Sequence, residues 1–233
     1  MSLAVDVTVE RGGFTFAMTT TFAPGITCVL GPSGAGKSTL LGVIAGLVEP
    51  TRGRVALGAE VWVDTTARAR VPVERRHVAY LFQALALFPH LSASSNVAYA
   101  VPRAVPRRER TARAMALLAR VGVSHLAHRR PATYSGGEAQ RVALARALAM
   151  APRVILLDEP FSALDRELKR PLIGLVRDLV AEAGVPAIAV THSLGEARAL
   201  ADRVIRVDAG HIVADGTPAD LLATAGHDDD LTP

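Results

Sequence analysis

Lysine is nearly absent from this 233-residue chain, although basic residues are common. Only Lys37 and Lys169 are lysines among the 26 basic residues, so arginine supplies almost all of the positive charge. Where lysine is this scarce, a lysine within a recognisable motif indicates a specific requirement for it. The net charge of +4 is spread along the chain without interleaved aromatic residues, which favours an ordinary solvated surface over a nucleic-acid or lipid site.

Cysteine and long apolar runs are also scarce. The single cysteine, Cys28, excludes an internal disulfide bond, suits a reducing compartment and is expected to be a small buried side chain. No apolar run approaches the roughly 18 residues that a membrane-spanning helix needs, and the N-terminus lacks a signal-peptide pattern. Because half of the residues are apolar, we expect a folded cytoplasmic protein with one large or two small domains.

One nine-residue segment has the spacing G-x-x-x-x-G-K-[ST] and lies between an apolar run and a helix-like run. It consists of Gly31, Pro32, Ser33, Gly34, Ala35, Gly36, Lys37, Ser38 and Thr39. Glycines allow the backbone to wrap an anion, so that N–H groups and a helix N-terminus converge on phosphate oxygens. Lys37 would add a charge between the β- and γ-phosphates, and the Ser38 hydroxyl would ligate Mg²⁺. We call residues 31–39 the phosphate loop, and they predict a nucleoside triphosphate site.

Polar side chains follow three further apolar runs. Gln83 follows residues 78–82, Asp158 and Glu159 end the run that starts at 153, and His192 follows residues 185–190. Ligands of α/β folds bind at the carboxyl ends of parallel strands, so we expect these side chains at one edge of a sheet. There Asp158 would hold Mg²⁺ through water, Glu159 would face an attacking water, and His192 would contact the γ-phosphate.

A second segment with small residues stands before a predicted helix from Ala139 to about Ala149. It contains Tyr134, Ser135, Gly136, Gly137 and Glu138. Free N–H groups and the positive end of the helix dipole make such a start suitable for an anion. One chain therefore carries two phosphate-ready helix N-termini.

In order and spacing, these segments and the run from Ser162 to Asp165 resemble the nucleotide-binding subunit of ATP-binding cassette transporters. The resemblance covers nearly the whole chain. The run 87–91 is similar to the importer branch, and residues 75–83, Glu138 and residues 191–194 are most similar to molybdate-type oxyanion importers. Importers of sulfate, thiamine, iron or polyamines share enough of this pattern to remain open.

The resemblance implies an α/β fold: a P-loop NTPase core with a RecA-like mixed sheet, an antiparallel β subdomain and a helical subdomain. Residues 1–233 would form this single ABC nucleotide-binding domain. Residues 1–90 and 150–225 would form the ATP-binding core with the β subdomain. Residues 91–149 would form the helical subdomain with the signature motif, which is the segment from Tyr134 to Glu138, and residues 226–233 would form a tail. From its own pattern, the helix over 107–121 is predicted to place Ala112, Met115, Leu118 and Ala119 on one face.

The resemblance also implies a role for each site residue. The phosphate loop with Lys37, Ser38 and Thr39 would bind ATP, and Ser38, Gln83 and Asp158 would bind Mg²⁺. Glu159 would polarise the attacking water, assisted by Gln83 and His192. Because members of this family act as head-to-tail dimers, a second copy would supply the residues that clasp the same ATP, namely Ser135, Gly136, Gly137, Glu138 and Asp165.

The partners implied are a second copy of the chain, transmembrane permease subunits and, indirectly, a periplasmic or extracellular solute-binding protein, with no nucleic acid. The implied location is peripheral, on the cytoplasmic face of the inner membrane. Three features depart from the family pattern. Tyr134 stands where leucine is usual. The aromatic residue that stacks on adenine is missing from its usual place, so that only Phe14 or Phe16 could serve. A C-terminal regulatory domain is expected to be absent or trimmed.

Two other classes of protein remain as alternatives. A DNA-maintenance ATPase with the same core would have long coiled coils between the two halves of that core. Here only 97 positions separate Ser38 from Ser135 (135 − 38), and no heptad pattern is sustained between them, which argues against this class. A binding module that had lost its chemistry ranks last, because every catalytic position is filled by a competent residue.

Overall fold

The protein consists of two β-sheets and a group of helices. The structure is a computed structural model, and it describes residues 1–222 except for the side chains of Arg166 and Leu222. The predicted tail, residues 226–233, lies outside the described residues. Within the described range, no helix combines the length and the apolar character needed to cross a bilayer.

In chain order, the strands within residues 1–222 are β1 (Leu3–Arg11), β2 (Phe14–Phe22), β3 (Gly25–Leu30), β4 (Arg52–Leu57), β5 (Glu60–Asp64), β6 (Ala69–Arg70), β7 (Val78–Leu81), β8 (Val154–Asp158), β9 (Pro186–Val190), β10 (Arg203–Asp208) and β11 (His211–Gly216). The helices are α1 (Lys37–Ala45), α2 (Val73–Arg76), α3 (Ala93–Ala100), α4 (Arg107–Arg120), α5 (Gly136–Leu148), α6 (Arg166–Ala183), α7 (Leu194–Leu200) and α8 (Pro218–Leu222). Short 3₁₀ turns lie at Ser124–Leu126 and Pro131–Thr133.

The larger sheet positions the predicted site. Its order is β11-β10-β3-β9-β8-β7, in which β10, β3, β9, β8 and β7 are parallel and β11 is antiparallel. Every residue of β8 and β9 is buried, because both faces of this sheet are covered, and such strands are continuous apolar runs rather than alternating ones. The carboxyl ends of β3, β7, β8 and β9 therefore bring the segments after Leu30, Leu81, Asp158 and Val190 to one edge.

The smaller sheet is antiparallel, with the order β2-β1-β4-β5-β6. Along β1 the buried residues alternate with more exposed ones, as expected for a sheet with one face in the core. Its buried side chains share one apolar core with α1 and with one face of the larger sheet. Helix α1 and the phosphate loop before it are thus held between the two sheets.

The opposite face of the larger sheet is covered by a second core that includes residues of α3, α4, α5, α6 and α7. The mixed sheet, the antiparallel sheet and the helical segment are all present as predicted. The predicted inner face of α4 is only half right: Leu118 is buried and Met115 packs against the core, but Ala112 and Ala119 are exposed and Ala114 is buried instead. Alanine has little apolar area to bury, so alanines scattered around a helix do not identify its inner face.

Candidate functional site

The phosphate loop joins β3 to α1 with a tightly turned backbone. Gly34 and Gly36 have positive φ values of 81° and 98°, which L-residues with side chains rarely adopt. A Cβ on Gly36 would lie 2.4 Å from a ring carbon of Phe16. Gly36 is therefore required both by its backbone angle and by the close approach of the aromatic ring.

Helix α1 leaves its first N–H groups free for a ligand. Its N-cap, Gly36, provides no side-chain hydrogen bond, and the bond from Leu40 N to Gly36 O (3.0 Å) begins the helical pattern. The Lys37 ammonium group lies back across the loop and donates to the carbonyls of Gly31 (2.7 Å) and Pro32 (2.8 Å). Burial lowers the pKa of Lys37, and the carboxylates of Glu159 and Asp158 oppose that shift. The loop thus presents N–H donors and one ammonium group to the same space.

Asp158 is the last residue of β8 and is 8% exposed. Burial raises the pKa of this carboxyl and Glu159 raises it further, whereas the hydroxyls of Ser38 and Tyr80 and the charge of Lys37 lower it. Burial, together with the charge of Asp158, also raises the pKa of Tyr80. The structure thus brings Asp158 next to the end of the phosphate loop, where a cation would relieve the cost of the buried carboxylate.

Glu159 has a left-handed backbone, with φ of 49°, which is uncommon for a residue with a side chain. Its N–H donates to the carbonyl of Val190 at 3.0 Å, which fixes it against the end of β9. Nδ1 of His192 lies 3.0 Å from Glu159 Oε1, and since an ionised carboxylate only accepts, this nitrogen carries the proton. The His192 side chain is 70% exposed and that of Glu159 21%, so the pair faces the solvent where a substrate would enter.

Gln83 lies at the same edge of the sheet. Leu81 of β7 pairs with Leu157 of β8, so Gln83 and Glu159 are each two residues beyond that pair. Gln83 is exposed and lies in a turn. Within the described residues, no hydrogen bond of its side chain is found that would fix its direction.

The second predicted anion site is at the start of α5, which begins at Gly136 rather than at the predicted Ala139. Ser135 is the N-cap, and it forms a capping box with Glu138: the Glu138 N–H donates to Ser135 Oγ (3.3 Å), and Ser135 N–H donates to Glu138 Oε2 (2.8 Å). The cap starts the helix despite the low helix propensity of Gly136 and Gly137.

The run from Ser162 to Asp165 packs beside this helix start. A Cβ on Gly137 would lie 3.3 Å from both the carbonyl of Ala163 and the side chain of Leu164. Asp165 is exposed and is the N-cap of α6 without a side-chain capping bond. Within residues 1–222, no hydrogen bond or ion pair joins the segment 135–138 to the phosphate loop.

Sequence reasoning missed Gln140 and Arg146, both on α5. Gln140 is 2% exposed, and its amide joins Glu159 to Ala163. Arg146 donates to the carbonyls of Leu85 (2.9 Å) and Ala86 (2.7 Å), two residues with positive φ in the segment after Gln83. A polar residue on the side of a helix that is otherwise apolar is the signal by which Gln140 could have been found.

Phe16, one of the two residues suggested for adenine stacking, is fully buried against Gly36. Its ring therefore has no face for a base, and this suggestion is wrong because the hairpin directs Phe16 inward. Phe14 is partly buried against the same core and stays a prediction. Cys28 is fully buried as predicted, and burial raises the pKa of its thiol to about 12.

Comparisons with known proteins agree on one family. A family model described as ABC transporter matches residues 17–162. The chain is 40% identical over 221 residues to the molybdenum import ATP-binding protein ModC of Albidiferax ferrireducens, covering 94% of this chain and 60% of that protein. It is 47% identical over 195 residues to the Fe(3+) ions import ATP-binding protein FbpC of Streptomyces avermitilis, covering 83% of this chain and 55% of that one. The chain thus spans little more than half the length of these relatives.

Among solved structures, the chain resembles the dimeric ATP-binding cassette MJ0796 in a post-hydrolysis state bound to ADP and Pi. The TM-score is 0.80 at 30% identity, with 94% of this chain and 99% of that chain covered. A second dimeric structure of the same cassette has a TM-score of 0.81. These likenesses confirm the predicted fold class of a P-loop core with an antiparallel β subdomain and a helical subdomain.

Proposed function

The chain belongs to the ABC transporter family, and we propose that it is the ATP-hydrolysing subunit of an importer. The observation that carries the proposal is the meeting of three groups at one sheet edge: the Lys37 ammonium group over the phosphate loop, the buried Asp158, and the Glu159–His192 pair. A cradle for phosphate, a carboxylate for a cation and a base for water are the parts that phosphoryl transfer to water requires.

The residues around the loop are chemically suited to ATP with Mg²⁺. The loop with Lys37, Ser38 and Thr39 would bind the phosphates, and Ser38, Asp158 and Gln83 would hold the cation. These three side chains offer oxygen donors, which Mg²⁺ prefers, and the raised pKa of Asp158 indicates a carboxylate that a cation would stabilise. Bound Mg²⁺ would neutralise charge that develops on the phosphate oxygens.

In the reaction, Glu159 would accept a proton from the attacking water and orient it toward the γ-phosphate. Its left-handed backbone, held by Val190 and Gln140, fixes the direction from which the carboxylate reaches the site. His192 donates to that carboxylate in the structure and would turn to the γ-phosphate of bound ATP. Proximity and fixed donors, rather than covalent chemistry, would supply the rate enhancement.

We infer that the working unit is a head-to-tail dimer. The segment 135–138 shares no hydrogen bond or ion pair with its own phosphate loop in the described part of the chain. A second copy would bring its Ser135, Gly136, Gly137, Glu138 and Asp165 to the open side of the ATP. Closure would exclude water and complete the site, and hydrolysis would remove the preference for the closed state. The resemblance to cassettes described as dimeric supports this arrangement.

As an importer subunit, the chain would act on the cytoplasmic face of the inner membrane with permease subunits and, through them, a solute-binding protein. We propose molybdate or a related oxyanion as the solute, because residues 75–83, Glu138 and residues 191–194 are similar to molybdate-type importers and molybdenum import proteins are among the relatives that match 94% of this chain. Iron is the second candidate, since two FbpC proteins are 43% identical over 219 residues and 47% identical over 195 residues. Thiamine, sulfate and polyamine remain as alternatives.

The deciding experiment measures MgATP hydrolysis and nucleotide binding by the Glu159→Gln variant. We expect hydrolysis to fall by about 10²- to 10⁴-fold, the usual contribution of a general base, while ATP binding persists. Glu74→Gln is the matched control, because Glu74 is exposed on α2 and its substitution should leave hydrolysis unchanged. Undiminished turnover in Glu159→Gln would refute the assignment.

The solute is tested separately by uptake of molybdate, iron, sulfate and thiamine in cells that lack the gene. Loss of molybdate uptake, restored by the intact chain and not by Glu159→Gln, is expected. Unchanged molybdate uptake with loss of iron uptake would assign iron instead.

A further inference from the structure

The Ser135 hydroxyl, which the proposed function assigns to the partner's ATP, is already engaged within its own chain. Ser135 Oγ donates to Glu138 Oε2 at 3.0 Å while it accepts from the Glu138 N–H. A hydroxyl has one proton to donate. Ser135 can therefore donate to a phosphate only after it releases Glu138, and the carboxylate must then remain stable without it.

His125 holds the other oxygen of that carboxylate. It lies in the 3₁₀ turn Ser124–Leu126, and its Nε2 is 2.9 Å from Glu138 Oε1. Because an ionised carboxylate only accepts, this nitrogen donates the hydrogen bond. His125 thus fixes the rotation of the carboxylate independently of Ser135 and would remain its partner when the serine hydroxyl leaves.

The charge of Glu138 would otherwise oppose phosphate binding. Hydrogen bonds from the Ser135 backbone, from His125 and from the Ser135 hydroxyl lower the pKa of Glu138 to about 2, so the group is ionised at neutral pH. It lies in the first turn of α5, beside the N–H groups that would receive the partner's phosphates. Like charges at a closed, water-poor interface repel strongly. A neighbouring donor that offsets this charge therefore favours closure.

We propose that His125 is a positioning residue for ATP-driven dimer closure. It keeps the Glu138 carboxylate bound to its own chain and offsets the charge of that carboxylate while Ser135 transfers its hydrogen bond to the phosphate bound by the partner. The inference rests on the proposed function, because it concerns the same dimer. The His125 side chain is 57% exposed and that of Glu138 21%, so the pair lies at the surface where a second copy would approach.

The test uses the full chain in the Glu159→Gln background, where hydrolysis does not empty the site. The dimer dissociation constant is measured by sedimentation in saturating MgATP, with and without His125→Ala, in chains that carry Glu138 or the Glu138→Gln substitution. We expect His125→Ala to weaken the dimer about tenfold when Glu138 is present, as for loss of a hydrogen bond to a charged group, and less than about twofold beside Glu138→Gln. An equal loss in both backgrounds, or no loss in either, would overturn the proposal.

Two further measurements separate positioning from damage to the fold. ATP affinity of the monomeric chain should not change in His125→Ala, because no hydrogen bond or ion pair in the described part of the chain joins this pair to the phosphate loop. His125→Gln keeps an N–H donor and should recover part of the dimer affinity, whereas a glutamine no better than alanine would contradict the role.

If Glu159→Gln alone stays monomeric with MgATP and its permease, the proposed function itself fails. A dimer that forms equally well without His125 contradicts only the present inference.

Discussion

Gln140 Nε2 donates to the carbonyl of Glu159 at 3.1 Å, while Gln140 Oε1 accepts from the N–H of Ala163 at 3.0 Å. One buried amide on α5 thus joins the helix that begins after Ser135 to the loop of the proposed base and to the loop before Asp165. Because both of its partners are main-chain groups, a displacement of α5 is expected to move the backbone of Glu159. Contact of a second copy at Ser135 would in this way reach the proposed base.

Gln140→Leu should therefore destabilise the chain and slow hydrolysis. The substitution leaves the Ala163 N–H without its partner and removes one donor from the Glu159 carbonyl, which keeps the N–H and the hydroxyl of Ser162. A buried group left unsatisfied costs about 1–3 kcal/mol. Urea unfolding would measure the free energy of unfolding, and steady-state kinetics should show a larger fall in kcat than rise in KM.

Ser162→Ala is the matched control for Gln140→Leu. It removes the hydroxyl that also donates to the Glu159 carbonyl, at 3.1 Å, but leaves the buried amide in place. A Ser162→Ala loss as large as that of Gln140→Leu would argue against a special role for the amide.

A second prediction compares two glycines of the phosphate loop. The methyl group of Gly34→Ala would have no atom within 4 Å, so the only cost is that of holding alanine in a left-handed backbone conformation, about 1–2 kcal/mol. Gly36→Ala suffers the same backbone cost and also places its methyl group 2.4 Å from the Phe16 ring. We expect Gly36→Ala to lower the melting temperature more than Gly34→Ala, and to do so less when Phe16→Leu is added. Equal losses in the two single variants would show that the ring contact is unimportant.

Much of the site could be predicted because its residues follow apolar runs. Residues 26–30, 154–157 and 186–190 are buried strands of one sheet, and parallel strands place whatever follows them at a common edge. The meeting of Glu159 with His192 therefore follows from two short runs and the direction of the sheet. The proposed roles of these residues go beyond that geometry and stay predictions.

The links between elements could not be predicted in the same way. His125 and Glu138 are 13 positions apart, and Arg146 reaches carbonyls 60 and 61 positions away, so their contacts depend on how helices pack. The prediction is wrong for Ala112 and Ala119 of α4, because alanines give a weak pattern, and for Phe16, because a strand can direct an aromatic ring to either face. Tertiary packing decided each of these cases.

Acid sensitivity gives a third prediction, which concerns Glu138. Its folded-state pKa, about 2, is below the ordinary value of 4.5, so its contribution to stability is present above pH 4.5 and is lost as the pH falls through about 2. The free energy of unfolding of Glu138→Ala should therefore be lower than that of the unmodified chain near neutral pH, and the difference should shrink in that acidic window. Urea unfolding at several pH values between about 2 and 7 would measure it.

Glu138→Gln separates the charge from the cap, since glutamine also serves in a capping box but does not titrate in this range. Its stability relative to the unmodified chain should vary with pH in the same window, whereas the difference between Glu138→Gln and Glu138→Ala should stay constant. A difference between these two variants that itself followed pH would show that another group titrates.

The last prediction concerns the unit formed by Glu159 and His192. His192→Ala should lower kcat by about 10²-fold or more while ATP still binds, because the proposed γ-phosphate contact is lost and Glu159 loses the donor at 3.0 Å. Residues that act as one unit are not additive, so the double variant with Glu159→Gln should be little slower than Glu159→Gln alone. His211→Ala, at an exposed position of β11, is the control expected to keep full activity. Losses that multiply in the double variant would show instead that the two side chains act at separate steps, and that their hydrogen bond has no part in orienting the base.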